Sequence, residues 1–454
     1  MGGDSDADNF NEEGGDDRQS EETQANPLDS AVCVLAVPPE VMNNESIIEE
    51  ARQHVNDAKV MREYANMKMK EARELKAASP PWGQSKDCLV ADYCQNMSLP
   101  HQGMTQPGDT YYFSPLTINC FGTADTGFEN PKMRAYVYDE GTAKKGGNNV
   151  ASLLYKDIHE RGWIDKEQGP REELTVIMDN CAGQNKNKMV MRMFAWLVET
   201  GAYERINIAF LVSGHTKNVC DRLFNILKLT YRKINVYTFN QLTKVLNTAE
   251  DVVPVPVRAD EFHDWDAFED SIYKQITSGT VYRTHLFQFN AKQPGILLTK
   301  DTAAPNSTQR QQQLVKKMNT EERAAIVANY KDYLHTLQTP GIKPIKQYEL
   351  WHKWRPYVPA EYQDILCPRP CQEIINSIKK NNAERGQKAA AKKKGAKRQR
   401  SDTMKDNNEP AKGTTVPQME ESTQNVENDR DDGEPSLQMS LDSITTTLNA
   451  ESPS

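Results

Sequence analysis

Between residues 45 and 77 apolar side chains return every three or four positions, at Ile48, Ala51, Val55, Ala58 and Met61, with no Pro or Gly in between. That spacing puts them on one face and predicts a long helix, segment 45–79, which Pro80 and Pro81 end. Beyond residue 86 the period changes. Residues 87–94 are a short apolar run broken by one Asp, 110–124 are aromatic and β-branched, and 133–138 alternate before Asp139, Glu140 and Gly141. These read as three strands of a meander. Helical periodicity at 148–162, a strand at 173–178, a helix at 187–200, a strand at 205–213 and a helix at 219–231 follow. The order βββαβαβα predicts an α/β domain over 86–234 with a mixed sheet, because parallel neighbours need crossover helices.

The pattern from 235 to 375 is less regular and is read as an α+β accessory region. Strand-like pieces at 280–289 and 294–299 precede a helix at 320–337, then a segment rich in Pro and aromatic residues at 339–370. Trp351, Trp354, Tyr357 and Tyr362 mark that segment as chain packed on a surface.

Charge sharpens the outline. The net charge of −9 is unevenly spread: residues 1–31 hold ten acids and one base, 378–400 hold ten bases and one acid, and 401–454 hold twelve acids and three bases. Such ends cannot bury enough apolar surface to fold, so 1–44 is expected to be an acidic disordered segment and 376–454 a disordered tail, basic then acidic. The stretch 32–377 is neutral, which argues against a broad nucleic-acid-binding face on it. No run reaches the ~18 apolar residues of a membrane span. The start, Met1 to Asn9, is acidic where a signal peptide is basic and then apolar. A soluble intracellular protein without a membrane partner is expected, and its scattered cysteines are expected to be reduced.

The candidate chemistry lies in acids at the ends of apolar strands. Asp92 closes the run Leu89-Val90-Ala91, Asp179 follows Val176-Ile177-Met178, and Asp221 begins the helix after the loop Gly214–Asn218. Carboxylates in such places are usually paired or bound to metal. Two strand ends and a nearby helix converge in the way that holds a pair of divalent metals, and oxygen-only donors favour Mg²⁺ or Mn²⁺. Each Asp alone is also an ordinary strand-end or turn residue.

The stretches CLVADYCQNMSLP (88–100), YVYDEGTAKKGGNNVASLL (136–154), IMDNCAGQNKN (177–187) and GHTKNVCDRLFNILK (214–228) carry a resemblance. With the βββαβαβα order, they resemble the ribonuclease H-like domain of DDE/DDD transposases and integrases, and more narrowly a eukaryotic family of transposase-derived proteins. The resemblance extends over about 46–370, including the helix with His54 and the late stretch WRPYVPAEYQDILCP. It implies metal-dependent DNA phosphodiester cleavage and strand transfer, with Asp92, Asp179 and Asp221 as catalytic metal ligands. Asn180 and His215 are implied as auxiliary residues, DNA as the partner, a homo-oligomer as one assembly, and the nucleus as the location. Relatives often begin the helix after their Gly pair with Asn-Glu, where this chain has Asn148-Asn149. They also carry a longer N-terminal part with DNA-binding modules. Two other readings stay open: a domesticated, catalytically inactive nuclear protein that binds nucleic acid or protein, and a ribonuclease H-like nuclease.

Among the bases, Lys217 and Arg222 flank Asp221, and Lys186 and Lys188 follow Asp179; these four are the candidate phosphate contacts. For most bases here, solvated pairing with the equal number of acids is the plainer reading. Lys392, Lys393, Lys394, Lys397, Arg398 and Arg400 form a dense basic run, read as a nuclear-import address or a nucleic-acid tether. Cys367 and Cys371, with His352 upstream, resemble half a zinc site, though packing is the plainer role for them.

Overall fold

In a computed structural model the described residues are 45–103, 105–165, 167–385 and 388. The acidic start at 1–44, the basic run from Lys392 to Arg400 and the acidic end at 401–454 lie outside them. The chain divides into two compact units, Met1–Asn382 and Ala383–Ser454, and the architecture below is that of the first.

The long helix forms as α1, Glu45–Ala77. Then come β1 (Lys86–Tyr93), the short β2 (Met97–Leu99), β3 (Leu116–Asp125), β4 (Met133–Asp139), α2 (Gly147–Glu160), β5 (Arg171–Met178), α3 (Lys188–Glu199), β6 (Tyr203–Phe210) and α4 (Val219–Tyr231). The first part of the expected strand 110–124 is instead a 3₁₀ turn, Gly108–Tyr112. Pro115, which has no N–H to give a ladder, stands just before β3.

The remaining elements are α5 (Phe239–Leu246), β7 (Val252–Pro256), α6 (Trp265–Ile272), α7 (Ser278–Arg283), β8 (Leu286–Asn290), β9 (Ile296–Lys300), β10 (Gln309–Gln313), α8 (Thr320–Ala328), α9 (Pro344–Glu349) and α10 (Ala360–Leu366). The expected strand 280–289 begins as α7 and becomes extended only at Leu286. The expected helix 320–337 ends at Ala328 and passes into a 3₁₀ turn, Tyr330–Asp332. The strand β10, with the sequence QRQQQ, carries no apolar alternation for periodicity to detect.

Among the described residues one mixed ten-stranded sheet contains every strand, in the order β10-β9-β8-β6-β5-β1-β3-β4-β7, with β2 beside β3. β1 is antiparallel to β3 and parallel to β5, and β5 is parallel to β6. Region 235–375 shares this sheet, since β7 runs parallel to β4 at one edge and β8 antiparallel to β6 toward the other. The two edges differ chemically. β7 carries Pro254 and Pro256, whereas β10 is mostly exposed glutamine with Arg310.

Side chains of β1 alternate between two cores, as a period of two requires. Leu89 and Ala91 enter the core with Trp196 of α3 and Trp265 of α6. Cys88 and Val90 enter the opposite core with Met61 of α1, Phe224 of α4 and Leu242 of α5. Three buried acids beside β1 are held by charge. Asp87 accepts from Arg171 at 2.6 and 3.0 Å, Glu173 accepts from Lys68 at 2.7 Å and Arg205 at 2.6 Å, and Asp125 pairs with Lys76. Burial alone would raise the Glu173 carboxyl, but Lys68 and Arg205 outweigh it and hold the group below the usual range.

α4 lies close against β1 and β3. Its Cys220 sulfur is 3.4 Å from the Val90 carbonyl oxygen and 3.7 Å from that of Gly122. A Cβ at Gly122 would sit 2.7 Å from Phe224 Cζ and 2.5 Å from Met133 Sδ. Gly122→Ala should therefore destabilise the protein by about 1–3 kcal/mol, the usual range for overpacking. Urea unfolding measures it, and an unchanged midpoint would show that α4 has room to spare.

Candidate functional site

Asp92 stands near the carboxyl end of β1, directly opposite Gly122 of β3. The parallel pairing of Ala91 with Met178 brings Asp92 and Asp179 to the same end of adjacent strands, one residue beyond the pair. Asp221 occupies the first turn of α4, which Cys220 fixes over the same strands. The three acids that sequence reading selected thus come from β1, the end of β5 and α4 to one region. Their electrostatics agree. Burial first, then the charges of Asp179 and Asp221, push the Asp92 carboxyl up to about 7, against the opposing pull of Asn218. Burial also raises Asp179, opposed by Asn185 and the Cys181 N–H, with the Asp221 charge raising it further.

Amides and backbone N–H groups hold these acids. Among the described residues none of the three has an ion-pair partner. Asn218 Nδ2 donates to Asp92 Oδ2 at 3.2 Å, while the Asn218 backbone N–H donates to Asp221 Oδ2 at 2.9 Å. Asn218 Oδ1 in turn accepts from the N–H groups of Cys220 at 2.8 Å and Asp221 at 3.3 Å, capping α4. One residue thereby ties two acids together. Asn185 Nδ2 donates to Asp179, and the Tyr93 N–H donates to Asp92 Oδ1 at 2.7 Å. Among the described residues, no three His, Cys, Asp or Glu side chains are gathered tightly enough to hold a metal ion as they stand.

The other selected residues divide into two sets. Asn180 donates to Ser213 Oγ at 3.3 Å and accepts from Lys186 Nζ at 2.7 Å, so it joins two loops at the site. The backbone carbonyl of His215 accepts from Arg62 of α1 at 3.0 Å, and its ring lies 5.5 Å from that of His54. Lys186 is not on a phosphate-facing surface. It is only 2% exposed, donates to Asn180 and to the Tyr282 carbonyl, and burial lowers its ammonium to about 8. Lys188 is paired with Asp266 at 2.7 Å. Lys217 and Arg222 are exposed, with no ion-pair partner among the described residues. Cys367 is buried and Cys371 is exposed, and both are free thiols.

Asn218 and Asn185 stand in the quoted sequence blocks, yet their part was not assigned from sequence. The signal for Asn218 was the spacing Asn-x-x-Asp ahead of an apolar helix, a capping box. Lys145 also approaches the acids. It is half-buried, its Nζ lies 4.6 Å from the Tyr93 ring centre and 3.4 Å from the Cys94 carbonyl, and the Asp92 charge acts on it. Asn149 is 3% exposed and accepts from the Gly146 N–H at 3.1 Å, capping α2.

A family model described as a domain of unknown function (DUF7869) matches residues 129–305, a stretch that includes Asp179 and Asp221. No curated protein matches this chain. Among solved structures, a weak likeness is to "Crystal structure of NurA with manganese", at 9% identity over 63% of this chain and 57% of that chain. Its TM-score is 0.13, far below that of a shared fold.

The raised Asp92 carboxyl has a consequence for stability. The folded state holds this proton more tightly than the unfolded chain, so metal-free stability falls as pH rises from about 4, the ordinary Asp range, to about 7. Asp92→Asn removes that loss. In chelator at pH 8 the variant should melt at least ~2 °C above the parent, and at about pH 4 the two should coincide. Equal melting at both pH values would show that Asp92 is ionised without cost.

Proposed function

We propose that this chain is a transposase-derived protein with a ribonuclease H-like DDE/DDD core, and that its chemistry is metal-dependent cleavage and strand transfer at DNA phosphodiesters. The observation that carries the proposal is the meeting of Asp92, Asp179 and Asp221, two of them raised by burial and by mutual charge and none with an ion-pair partner among the described residues. The strand order supports it. Three antiparallel strands, β1, β3 and β4, are followed by two parallel strands, β5 and β6, on the other side of β1, with α2, α3 and α4 as connections.

The donor set fits Mg²⁺ or Mn²⁺: it is all oxygen, and its repulsion is what a divalent cation would relieve. Asp92, Asp179 and Asp221 would hold the metal, which supplies charge stabilisation and an activated nucleophile at phosphorus. The chain's own residues do the rest. Asn218 fixes Asp92 relative to Asp221, Asn185 orients Asp179, and the Asn180–Lys186 contact braces the loop after β5. Lys217 and Arg222 present free charge for phosphate oxygens, and the half-buried Lys145 ammonium faces the same region. On this reading the basic run Lys392–Arg400 serves nuclear import, and a homo-oligomer is the working assembly.

A second reading, a DNA-binding protein that no longer cleaves, is favoured by two particular features. Asn149 caps α2 where relatives carry Glu, and no three acids are gathered for a metal among the described residues. One experiment separates the two. Supercoiled plasmid incubated with the protein and Mn²⁺ should be nicked, and Asp179→Asn should reduce nicking to background while leaving DNA binding intact. Binding without nicking in Mn²⁺ and in Mg²⁺ would replace the first reading with the second.

A further inference from the structure

The helix α4 is held on its inner side and open on its outer one. Cys220 and Phe224 pack into the core, and the Tyr231 ring stacks on that of His101 at 3.8 Å. On the outer side Arg222, Ile226, Leu229 and Lys233 follow at steps of four, three and four residues, so they share one stripe. Ile226 is 36% exposed and Leu229 59%. Lys217 ahead of the helix and Arg232 at its end add charge. Lys217, Arg222, Arg232 and Lys233 are all exposed, with no ion-pair partner among the described residues. Between residues 214 and 235 the one acid is Asp221. This face is therefore basic toward both ends and apolar in its middle.

Phosphate oxygens suit the ends of such a face but offer nothing to Ile226 and Leu229. A polypeptide with acids beside an apolar run suits both parts. The chain itself contains one. Residues 1–31 hold ten acids and one base, and Val32, Cys33, Val34, Leu35, Ala36 and Val37 follow at once. This stretch lies outside the described residues, but the element it joins does not. It enters α1 at Glu45, and α1 meets the loop ahead of α4. The His54 ring lies 5.5 Å from that of His215, and Arg62 donates to the His215 carbonyl at 3.0 Å.

The reach is sufficient. From Glu45 to His54 the helix rises about 14 Å, and from Arg222 to Lys233 about 17 Å. The chain from Val32 to Glu45 can span up to about 43 Å. Tethering at this point holds the acids near the α4 bases at millimolar effective concentration, on the order usual for short linkers. We propose that the outer face of α4 is a docking surface for the chain's own N-terminal segment. The run 32–37 lies on Ile226 and Leu229, and the acids of 1–31 meet Lys217, Arg222, Arg232 and Lys233. The docked segment withholds Lys217 and Arg222 from phosphate oxygens beside Asp221, so DNA must displace it. That consequence rests on the DNA reading above, whereas the docking itself does not.

Carbodiimide coupling, which joins an amine directly to a carboxylate in contact with it, tests the docking on the full-length protein without DNA. Peptide mapping should find Lys217 and Lys233 linked to acids of residues 1–31 of the same molecule. The yield should be at least about fivefold above that at Lys292, an exposed lysine between β8 and β9. Salt at about 1 M, where the Debye length is about 3 Å, should remove the excess. Two double variants of the full chain keep every charge: Ile226→Ser with Leu229→Ser on the exposed face, and Val34→Ser with Leu35→Ser in the segment. Each should lower the links to the Lys292 level. Equal links at Lys292, links to acids elsewhere in the chain, links between two molecules, or yields unchanged in both variants would overturn the proposal. A second measurement, anisotropy of labelled duplex DNA, reads the consequence. Both variants should bind at least about threefold more tightly than the parent, as expected if the parent's face is open in no more than about a third of molecules. If parent and variants bind DNA equally, the segment does not guard these bases and the proposal is overturned while the DNA reading stands. If none of them binds DNA at low salt, the DNA reading is overturned and the links alone decide the docking.

Discussion

The close seating of α4 on the sheet is the constraint on which the rest depends. It requires the missing side chain at Gly122 and the small thiol at Cys220, which together let the helix approach the carbonyls of β1 and β3. A larger residue at either place would lift the first turn of α4 and carry Asp221 away from Asp92. The C-terminal end of the same helix supports the His101 loop through Tyr231. A single packing decision in the apolar core therefore positions polar groups at both ends of one helix.

Electrostatics then divides the molecule. Where the sheet needs only stability, buried acids have cations: Asp87 has Arg171, Asp125 has Lys76, and Glu173 has both Lys68 and Arg205. Where Asp92, Asp179 and Asp221 meet, the partners are amides and backbone N–H groups, which orient an acid without neutralising it. The contrast between these neighbourhoods is a sharper sign of chemistry than the presence of acids alone, since perturbed acids without counter-charge are typical of functional sites.

Periodicity made most of the central sheet legible. β1, β4, β5, β6 and the helices between them have the apolar spacing of buried elements, and the acids could be placed at their ends from sequence. The outer strands were hidden for physical reasons. β10 is stabilised by its neighbour β9 and has no apolar face, while β7 is short and rich in Pro. Within the site, Asp92, Asp179 and Asp221 were visible because a carboxylate interrupts an apolar run, whereas Asn218 resembles any helix cap until its amide is seen to reach Asp92 from 126 residues away in sequence. Lys186 misled in the opposite direction. A lysine between polar neighbours looks solvated, and only the fold shows that Asn180 and the Tyr282 carbonyl bury it.

The unequal edges of the sheet give the fold a direction of growth. At β7, Pro254 and Pro256 remove N–H groups that a further strand would need. At β10 the glutamine-rich backbone is exposed and without proline, guarded chiefly by Arg310 and its ion pair with Asp301 at 2.5 Å. An extended segment, whether from another molecule or from elsewhere in this chain, would meet a capped margin on one side and an open margin on the other. Lengthening of this sheet by insertion or by association is thus biased to the β10 side, away from the strands that carry the acids.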